Sequence, residues 1–365
     1  MRKRFIATAA VAALVAYFSL WPVDIAPTGW TPAALAESTA ATRGSLSAIE
    51  RLGLQEGTGP EGISLDASGR IYAGFLDGRV VRFSPDGRHV ELLAQTQGRP
   101  WGTFASADGR SILVADAVKG LLKIEAGHIA TLATQAQGVP FKLTDDVVQG
   151  ASGKIYFSDA SSKFGIDKMM SDVFEHGANG RLMQYDPVSK GVSVLMSGLH
   201  VANGVALGPD ERYVLVSETL SYRVWRYWLK GEKAGQKEVF IDNLPGFPDN
   251  ISFNGRDGFW LALYAPRDPL LDALLPYPAL LKAAYRIPQV IQPKAKKVAH
   301  VLKLDLNGVV QADLQDDRPE AYAPITSVRE FNGTLYFGSI EYPSVGQMRL
   351  PRNLSEHPHT REATP

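Results

Sequence analysis

From residue 60 onward the sequence repeats one unit of short strands. Each copy contains a short apolar strand, a turn rich in Asp and Gly, a second strand that ends in a small polar residue, and a third strand with alternating apolar positions. Where nothing is inserted, successive copies lie about 40 to 45 residues apart, the length of one four-stranded propeller blade. The six copies begin at Gly62, Gly102, Asp146, Gly204, Asn250 and Thr326.

Six such units predict an all-β fold, a six-bladed β-propeller over residues 51–350. Circular packing of the blades limits the number of exposed sheet edges. The ring has to close, and we expect residues 45–55 to supply an outer strand to the last blade. Turn dipeptides such as Asp77-Gly78, placed between segments in which apolar and polar residues alternate, are typical of β-hairpins. A two-sheet sandwich is the alternative architecture.

Two of the copies carry insertions, at residues 161–179 in the third and at residues 266–297 in the fifth. The second insertion has leucines at helical spacing, including Leu270, Leu271 and Leu274. Three interpretations stay open for it: a helix packed on the ring, an apolar lid over a pocket, or a contact with a membrane surface.

The N-terminus has the pattern of a membrane-targeting segment. Residues 1–4 form a basic cluster, and residues 5–21 are an uncharged, mostly apolar run. As a helix this run would span about 26 Å, slightly less than a hydrocarbon core of about 30 Å. We expect residues 1–24 to be a membrane anchor, or else a secretory signal cleaved near residues 34–36. A buried soluble helix is the third alternative.

Both targeting interpretations keep the basic cluster in the cytoplasm and place the propeller on the extracytoplasmic side, periplasmic or lumenal. Residues 25–50 are expected to form a linker, because their second half is small and polar. Residues 351–365 are expected to be a disordered tail.

Composition excludes several classes of protein. The 38 basic residues balance 38 acidic ones, so no basic excess is available for nucleic-acid binding. The absence of cysteine rules out disulfides, thiolate zinc sites and a cysteine nucleophile. The sequence contains neither a G-x-S-x-G elbow nor an H-E-x-x-H helix.

One set of oxygen-bearing side chains lies just before or at the first strand of several copies. Because innermost strands line the channel of a propeller, equivalent positions converge on its axis. Carboxylates gathered there would repel one another, and a hard cation would remove that repulsion. Oxygen ligands without His or Cys suit Ca²⁺, although Asp and Asn also cap turns. The set comprises Glu61, Asp145, Asp146, Asn203, Asp249 and Asn250.

Several longer segments resemble the strictosidine synthase-like proteins, within the calcium-dependent propellers that include gluconolactonases and paraoxonases. The segments are 59–62, 114–124, 155–165, 202–219, 222–231 and 242–251. The resemblance implies a six-bladed propeller with calcium on the axis. Matched by motif, the implied calcium ligands are Glu61, Asp145, Asn203 and Asp249, with Asn250 beside them.

Three positions depart from the patterns of these relatives. The Asn-Asp pair common at the third blade reads Asp145-Asp146 here, which adds a negative charge. Trp101 stands where paraoxonases have a histidine, and Thr326 stands where alkaloid-condensing enzymes have a catalytic glutamate. Amine–aldehyde condensation is therefore not expected.

The resulting hypothesis is calcium-dependent hydrolysis of a small lipophilic ester or lactone. Asp249 or Asp146 would take a proton from water, or Asp249 would attack directly. Trp101, Thr326 and His200 are the candidate pocket residues. The main alternative is a non-catalytic binding propeller with structural calcium, because propellers serve both purposes. A different lyase or condensing activity is a third hypothesis.

Overall fold

The computed structural model describes residues 2–35, 41–53, 57–351 and 354. In chain order, its strands are β1 (Ala41–Arg43), β2 (Glu50–Leu52), β3 (Ile63–Leu65), β4 (Ile71–Gly74), β5 (Arg79–Phe83), β6 (Val90–Gln95), β7 (Pro100–Ala105), β8 (Ser111–Asp116), β9 (Gly120–Glu125), β10 (His128–Ala133), β11 (Gln135–Ala136), β12 (Val139–Pro140), β13 (Thr144–Gln149), β14 (Ile155–Asp159), β15 (Gly180–Asp186), β16 (Gly191–Leu199), β17 (Ala202–Leu207), β18 (Tyr213–Glu218), β19 (Arg223–Trp228), β20 (Lys237–Ile241), β21 (Gly246–Phe253), β22 (Gly258–Pro266), β23 (Ala299–Asp305), β24 (Val310–Asp316), β25 (Ser327–Phe331), β26 (Thr334–Gly338) and β27 (Val345–Arg349).

These strands form six blades arranged in a ring. Blades one to five are the antiparallel sheets β3–β6, β7–β10, β13–β16, β17–β20 and β21–β24, and β11 pairs with β12 in a separate short hairpin. The first strands of successive blades contact one another in the order β3, β7, β13, β17, β21 and β25, and β25 returns to β3. The prediction of a six-bladed β-propeller is confirmed.

The N-terminal part of the chain closes the ring. Strand β2 pairs antiparallel with β27, with Glu50 opposite Gln347, and completes the sixth blade with β25 and β26. The expected closing strand is therefore found at Glu50–Leu52. Strand β1 adds a parallel fifth strand outside β24, so part of the expected 25–50 linker belongs to the propeller.

The core consists of six apolar layers, one between each pair of neighbouring blades. Strand β4 shows how the alternation of side chains builds them. Ile71 and Ala73 face the layer shared with the sixth blade, whereas Tyr72 faces the layer shared with the second. Each large side chain fully buried in this way contributes about 1.5–3 kcal/mol.

Four helices lie outside the blades in the described residues: α1 (Arg2–Leu20), α2 (Met169–Glu175), α3 (Pro269–Leu274) and α4 (Pro278–Tyr285). Helix α3 begins with Pro269 at its first position, and Asp268 caps it by accepting a hydrogen bond from Leu271 N. Helix α1 contacts α4, where Tyr17 Oη donates to Arg286 O at 2.8 Å.

The transmembrane interpretation of residues 5–21 is not supported. Within the described part of the chain, none of the helices is long and apolar enough to cross a bilayer. The expected disordered tail, residues 351–365, lies outside the described residues apart from Pro351 and Leu354.

Residues 22–35 pack against the two insertions, and we call residues 22–35, 161–179 and 266–291 together the cap. Ile25 is 4% exposed and lies among Phe164, Phe174 and Leu281. Ala26 N and Thr28 N both donate to Glu175, through its carboxylate and its carbonyl respectively. This packing differs from the linker that was expected over residues 25–50.

The same segment continues along the cap as far as the fifth blade. Arg267 donates to Ala33 O at 2.9 Å, and Asn243 Nδ2 donates to Ala34 O at 2.8 Å. Cleavage near residues 34–36, the alternative of a secretory signal, would remove all of these contacts from the cap.

Replacing Trp30 with Ala should loosen the cap without unfolding the blades. The Trp30 ring stacks on His176 at 4.7 Å between centroids, and Trp30 N donates to Leu275 O. We expect a loss of about 2 kcal/mol of local stability, seen as faster amide hydrogen exchange in residues 169–176 and 269–285. Trp21→Ala is the control, because Trp21 is 60% exposed; equal exchange in the two variants would contradict this packing role.

Candidate functional site

Bulges in the innermost strands build the centre of the propeller. In four blades one extra residue is inserted between regular pairs of the first and second strands, at Trp101, Asp145-Asp146, Asn203-Gly204 and Asp249-Asn250. A bulge turns a side chain out of its regular alternation. Residues that would otherwise face the layers between blades can therefore point toward the axis.

One residue from each blade forms what we call the axial ring: Glu61, Trp101, Asp145, Asn203, Asp249 and Thr326. The residue that follows each ring member contacts the next blade. Gly62 N donates to Trp101 O, and Asn250 N donates to Thr326 O at 3.0 Å. The six ring positions are therefore equivalent in three dimensions, as the repeat in the sequence indicates.

Glycine follows the ring residue in three blades because the neighbouring backbone is very close. A Cβ at Gly102 would lie 2.6 Å from Asp145 O, and one at Gly204 would overlap the Cα of Asn250. In the other three blades a polar side chain occupies this position and bonds to the neighbouring blade. Asp146 Oδ2 accepts from Val205 N at 2.8 Å, and Ser327 Oγ donates to the carbonyl of Glu61 at 2.7 Å.

Four oxygen atoms at this centre are buried and have no hydrogen-bond partner among the described residues. We call them the open oxygens: Glu61 Oε2, Asp145 Oδ1, Asn203 Oδ1 and Asn250 Oδ1. The Asn250 amide is oriented by its nitrogen, which donates to Glu61 Oε1 at 2.7 Å and to Thr326 O at 3.1 Å. Each buried polar atom without a hydrogen-bond partner destabilises the folded state by about 1–3 kcal/mol.

The carboxylates of the ring are electrostatically unfavourable as they stand. Burial, and then the negative charge of Asp146, raises the pKa of Glu61 to about 8. Burial and the charge of Glu61 likewise hold the pKa of both Asp145 and Asp249 well above the usual range. A positive ion among these groups would offset both the desolvation and the repulsion.

The donor set fits a hard cation. All four open oxygens are carboxylate or amide oxygens, which Ca²⁺ accepts in sets of six to eight. In the described part of the chain, no group of three or more His, Asp or Glu side chains could hold a metal by itself. The candidate site therefore depends on the amides of Asn203 and Asn250 as well as on the carboxylates.

The two candidate catalytic aspartates have different surroundings. Both oxygens of Asp146 are occupied by backbone N–H groups, since Oδ1 accepts from Val147 N and Oδ2 from Val205 N, each at 2.8 Å. Asp146 therefore joins blades three and four. Asp249 contacts the side chains of Glu61, Asn203 and Asn250, so its carboxyl group belongs to the ring itself.

The other candidate pocket residues are also held by specific contacts. Thr326 is 1% exposed, and its hydroxyl donates to Glu61 O at 2.9 Å, which makes it part of the closure between blades six and one. His200 lies under the cap, with its Nδ1 2.9 Å from His176 O and its ring stacked on His176 at 4.2 Å. Because a carbonyl oxygen only accepts, His200 Nδ1 carries a proton there.

Trp101 belongs to an apolar group of side chains that we call the collar. The members of the collar are Trp101, Ala117, Leu143, Ala160, Ile166, Val201 and Ile340. They come from blades two, three, four and six and from the cap, so the collar lies across the mouth of the channel. Val201 reaches it with a φ of +63°, a strained conformation for a β-branched residue and one found most often at functional sites.

Two cavities lie away from the ring. One of about 120 Å³ is lined by Ser64, Phe104 and Arg329, at the opposite end of the innermost strands. The other, of about 270 Å³, lies between Arg82 and Arg110 on the outer strands. Neither is lined by a residue of the axial ring.

The sequence pattern did not predict the bulges, the collar or the packing of residues 22–35. A signal was present for two of the four bulges, because glycine follows the ring residue in Trp101-Gly102 and Asn203-Gly204. The collar had no such signal, because its members are single apolar residues at separate loop ends.

Comparison with known proteins agrees with this fold. The family model for strictosidine synthase matches residues 145–232, and the N-terminal model of strictosidine synthase-like proteins matches residues 44–83. The chain is 34% identical over 364 residues to the protein STRICTOSIDINE SYNTHASE-LIKE 6 of Arabidopsis thaliana, covering 96% of each chain. It is 31% identical over 334 residues to the adipocyte plasma membrane-associated protein of Salmo salar, covering 84% of this chain and 79% of the relative.

Solved structures share the architecture at lower identity. A gluconolactonase from Xanthomonas campestris superposes with a TM-score of 0.59 at 18% identity, over 89% of this chain and 99% of that one. The calcium-binding protein regucalcin from Agrobacterium tumefaciens gives a TM-score of 0.58 at 16% identity, over 82% and 92% of the two chains. At these identities the likeness is one of fold.

The blades and their polar axis define a six-bladed propeller with a candidate axial ion site. The length and identity of the sequence matches go further, and the chain belongs to the strictosidine synthase-like family.

His176 should make the cap sensitive to acid. Burial, and then the charge of His200, lowers the pKa of His176 to about 4, whereas an unfolded histidine titrates near 6.5. Between these values the unfolded state binds more protons, so stability falls as the pH falls. His176→Asn tolerates the left-handed backbone there and removes this titration.

The free energy of unfolding would be measured in urea at pH 7 and at pH 5. We expect it to fall between these pH values by about 1–2 kcal/mol more in the wild type than in His176→Asn. The control is His128→Asn, because His128 is exposed at the start of β10. This variant should lose as much unfolding free energy between pH 7 and pH 5 as the wild type. A loss in His176→Asn equal to that of the wild type would contradict the role given to His176.

Proposed function

We propose that this chain is a calcium-dependent hydrolase of small lipophilic lactones or esters. The observation that carries the proposal is the set of four open oxygens, contributed by four different blades and enclosed beneath an apolar collar. The architecture shared with a gluconolactonase and with a calcium-binding protein is compatible with this function.

Glu61, Asp145, Asn203 and Asn250 would hold the ion through the open oxygens, and Asp249 lies beside them to complete the set. Calcium bound there supplies positive charge that polarises a carbonyl oxygen. The bulges and the contacts between blades determine the positions of these ligands. Little reorganisation is then required at the moment of reaction.

Asp249 is the residue we assign to proton transfer. Its carboxylate would accept a proton from water as the water oxygen bonds to the carbonyl carbon. The acyl C–O bond would then break, and the leaving alkoxide would take the proton back from Asp249. Direct attack by Asp249 is the alternative, favoured by a nearby cation that keeps the group ionised. Asp146 is not assigned a catalytic role, because both of its oxygens already bond to backbone N–H groups.

The collar favours a substrate with an apolar body. Its seven side chains offer hydrocarbon or aromatic surface, and burying a methylene group there contributes about 0.8 kcal/mol. The membrane-anchored, extracytoplasmic location stays a prediction, for which fractionation of cells expressing the full chain is the test.

A non-catalytic binding propeller with structural calcium is the second candidate. It is favoured by the closed state of the collar, in which Trp101 is 3% exposed. The two candidates differ in turnover, because only the hydrolase consumes substrate when calcium is present.

The test uses the full chain, since a fragment beginning near residue 38 would lack the packed segment 22–35. Lactones and aryl esters would be assayed with calcium and then with chelator. We expect turnover only with calcium, and a loss of at least about 100-fold in Asp249→Asn. The control is Asp186→Asn, because Asp186 caps a turn through Val188 N far from the ring.

Calcium binding would be measured in parallel as the rise in melting temperature. Turnover that survives chelation, or an Asp249→Asn variant with full activity, would overturn the hydrolase proposal. A rise in melting temperature without turnover of any substrate would favour the binding propeller.

A further inference from the structure

The second blade contributes a hydrogen-bond donor where four other blades contribute oxygen atoms. Trp101 occupies the ring position of that blade, at a bulge of its own. Its indole Nε1 is buried and has no hydrogen-bond acceptor among the described residues. An indole N–H can only donate, and a buried donor without an acceptor is costly.

None of the open oxygens satisfies this donor. They also need partners, and a cation supplies what they need. A cation and an indole N–H both attract oxygen lone pairs, so the group that would complete the site is an oxygen atom carried by a ligand. Carbonyl and carboxylate oxygens have this property.

The surroundings of the indole restrict the rest of that ligand. Trp101 belongs to one apolar cluster with Leu143 of blade three, and Val201, Ile340 and Ile166, from blades four and six and from the cap, pack against that cluster. Because these blades are not all neighbours, the indole lies over the channel rather than within one layer of the core. The collar side chains themselves are apolar, so a ligand body in contact with them gains most when it is apolar as well.

We propose that Trp101 Nε1–H donates a hydrogen bond to the carbonyl oxygen of a ligand held over the axial ring, and that this ligand is a medium-chain lactone or the corresponding hydroxy acid. The inference rests on the proposed function and gives its substrate class. In hydrolysis, negative charge develops on the carbonyl oxygen, and a neutral donor fixed beside it stabilises that charge. Trp101 is thus a substrate-contacting residue rather than only a core residue.

Trp101→Phe is the informative variant, because it removes the N–H and keeps an aromatic ring in the collar. Trp228→Phe is the matched control. Trp228 also has a buried indole Nε1, but it lies on β19 of blade four, packed against Tyr213 and Arg226.

The first readout is independent of turnover. Binding of 4-hydroxydecanoate to the calcium-loaded full chain would be measured by titration calorimetry, and calcium binding by the shift in melting temperature. We expect calcium to raise the melting temperature of Trp101→Phe as much as that of the wild type. The variant should bind 4-hydroxydecanoate about tenfold more weakly than the wild type, a difference of about 1.4 kcal/mol in binding free energy. Trp228→Phe should bind like the wild type, and 4-hydroxybutanoate should bind the wild type at least about tenfold more weakly.

The second readout is kcat/KM for γ-decalactone, which should fall by about 10- to 100-fold in Trp101→Phe. Wild-type binding without turnover, with weaker binding by Trp101→Phe, would reject the hydrolase and uphold the Trp101 contact. Unchanged binding and unchanged kcat/KM in Trp101→Phe would overturn the inference while the hydrolase stands. A wild type that neither binds nor hydrolyses these compounds would overturn both.

Discussion

The close approach of the innermost strands at the axis is the constraint on which the rest of the structure depends. Where Gly62, Gly102 and Gly204 lie, the neighbouring blade leaves no space for a side chain. Where Asp146 and Ser327 lie, the side chain itself joins the two blades. In four blades a bulge also turns the ring residue out of its regular alternation, so the contacts that close the propeller lie beside its polar centre.

A polar centre formed in this way is unfavourable without a positive ion. Its carboxylates are buried, which raises the pKa of Glu61, Asp145 and Asp249, and the four open oxygens lack partners among the described residues. Burial of these groups places them in surroundings of low dielectric constant, where electrostatic interactions are stronger than in water. Ile166 belongs to both the collar and the cap, so the position of the cap determines how completely the centre is enclosed.

The sequence was sufficient for the fold because its repeat is regular and its turns are rich in Asp and Gly. The repeat also predicted that Glu61, Asp145, Asp146, Asn203, Asp249 and Asn250 lie near the axis, and the family resemblance implied the narrower set of Glu61, Asp145, Asn203 and Asp249. The sequence could not distinguish the roles of Asp146 and Asp249, because that difference comes from a backbone N–H of the neighbouring blade. Nor could it predict the packing of Ile25 and Trp30, whose partners lie about 150 to 250 residues away and leave no local pattern.

A crystal structure of the full chain grown with calcium would show whether the axial ring holds an ion. We expect one ion on the axis, within about 2.3–2.6 Å of Glu61 Oε2, Asp145 Oδ1, Asn203 Oδ1 and Asn250 Oδ1. An axis that holds only water in saturating calcium, with these four oxygens hydrogen-bonded to one another or to solvent, would contradict this expectation.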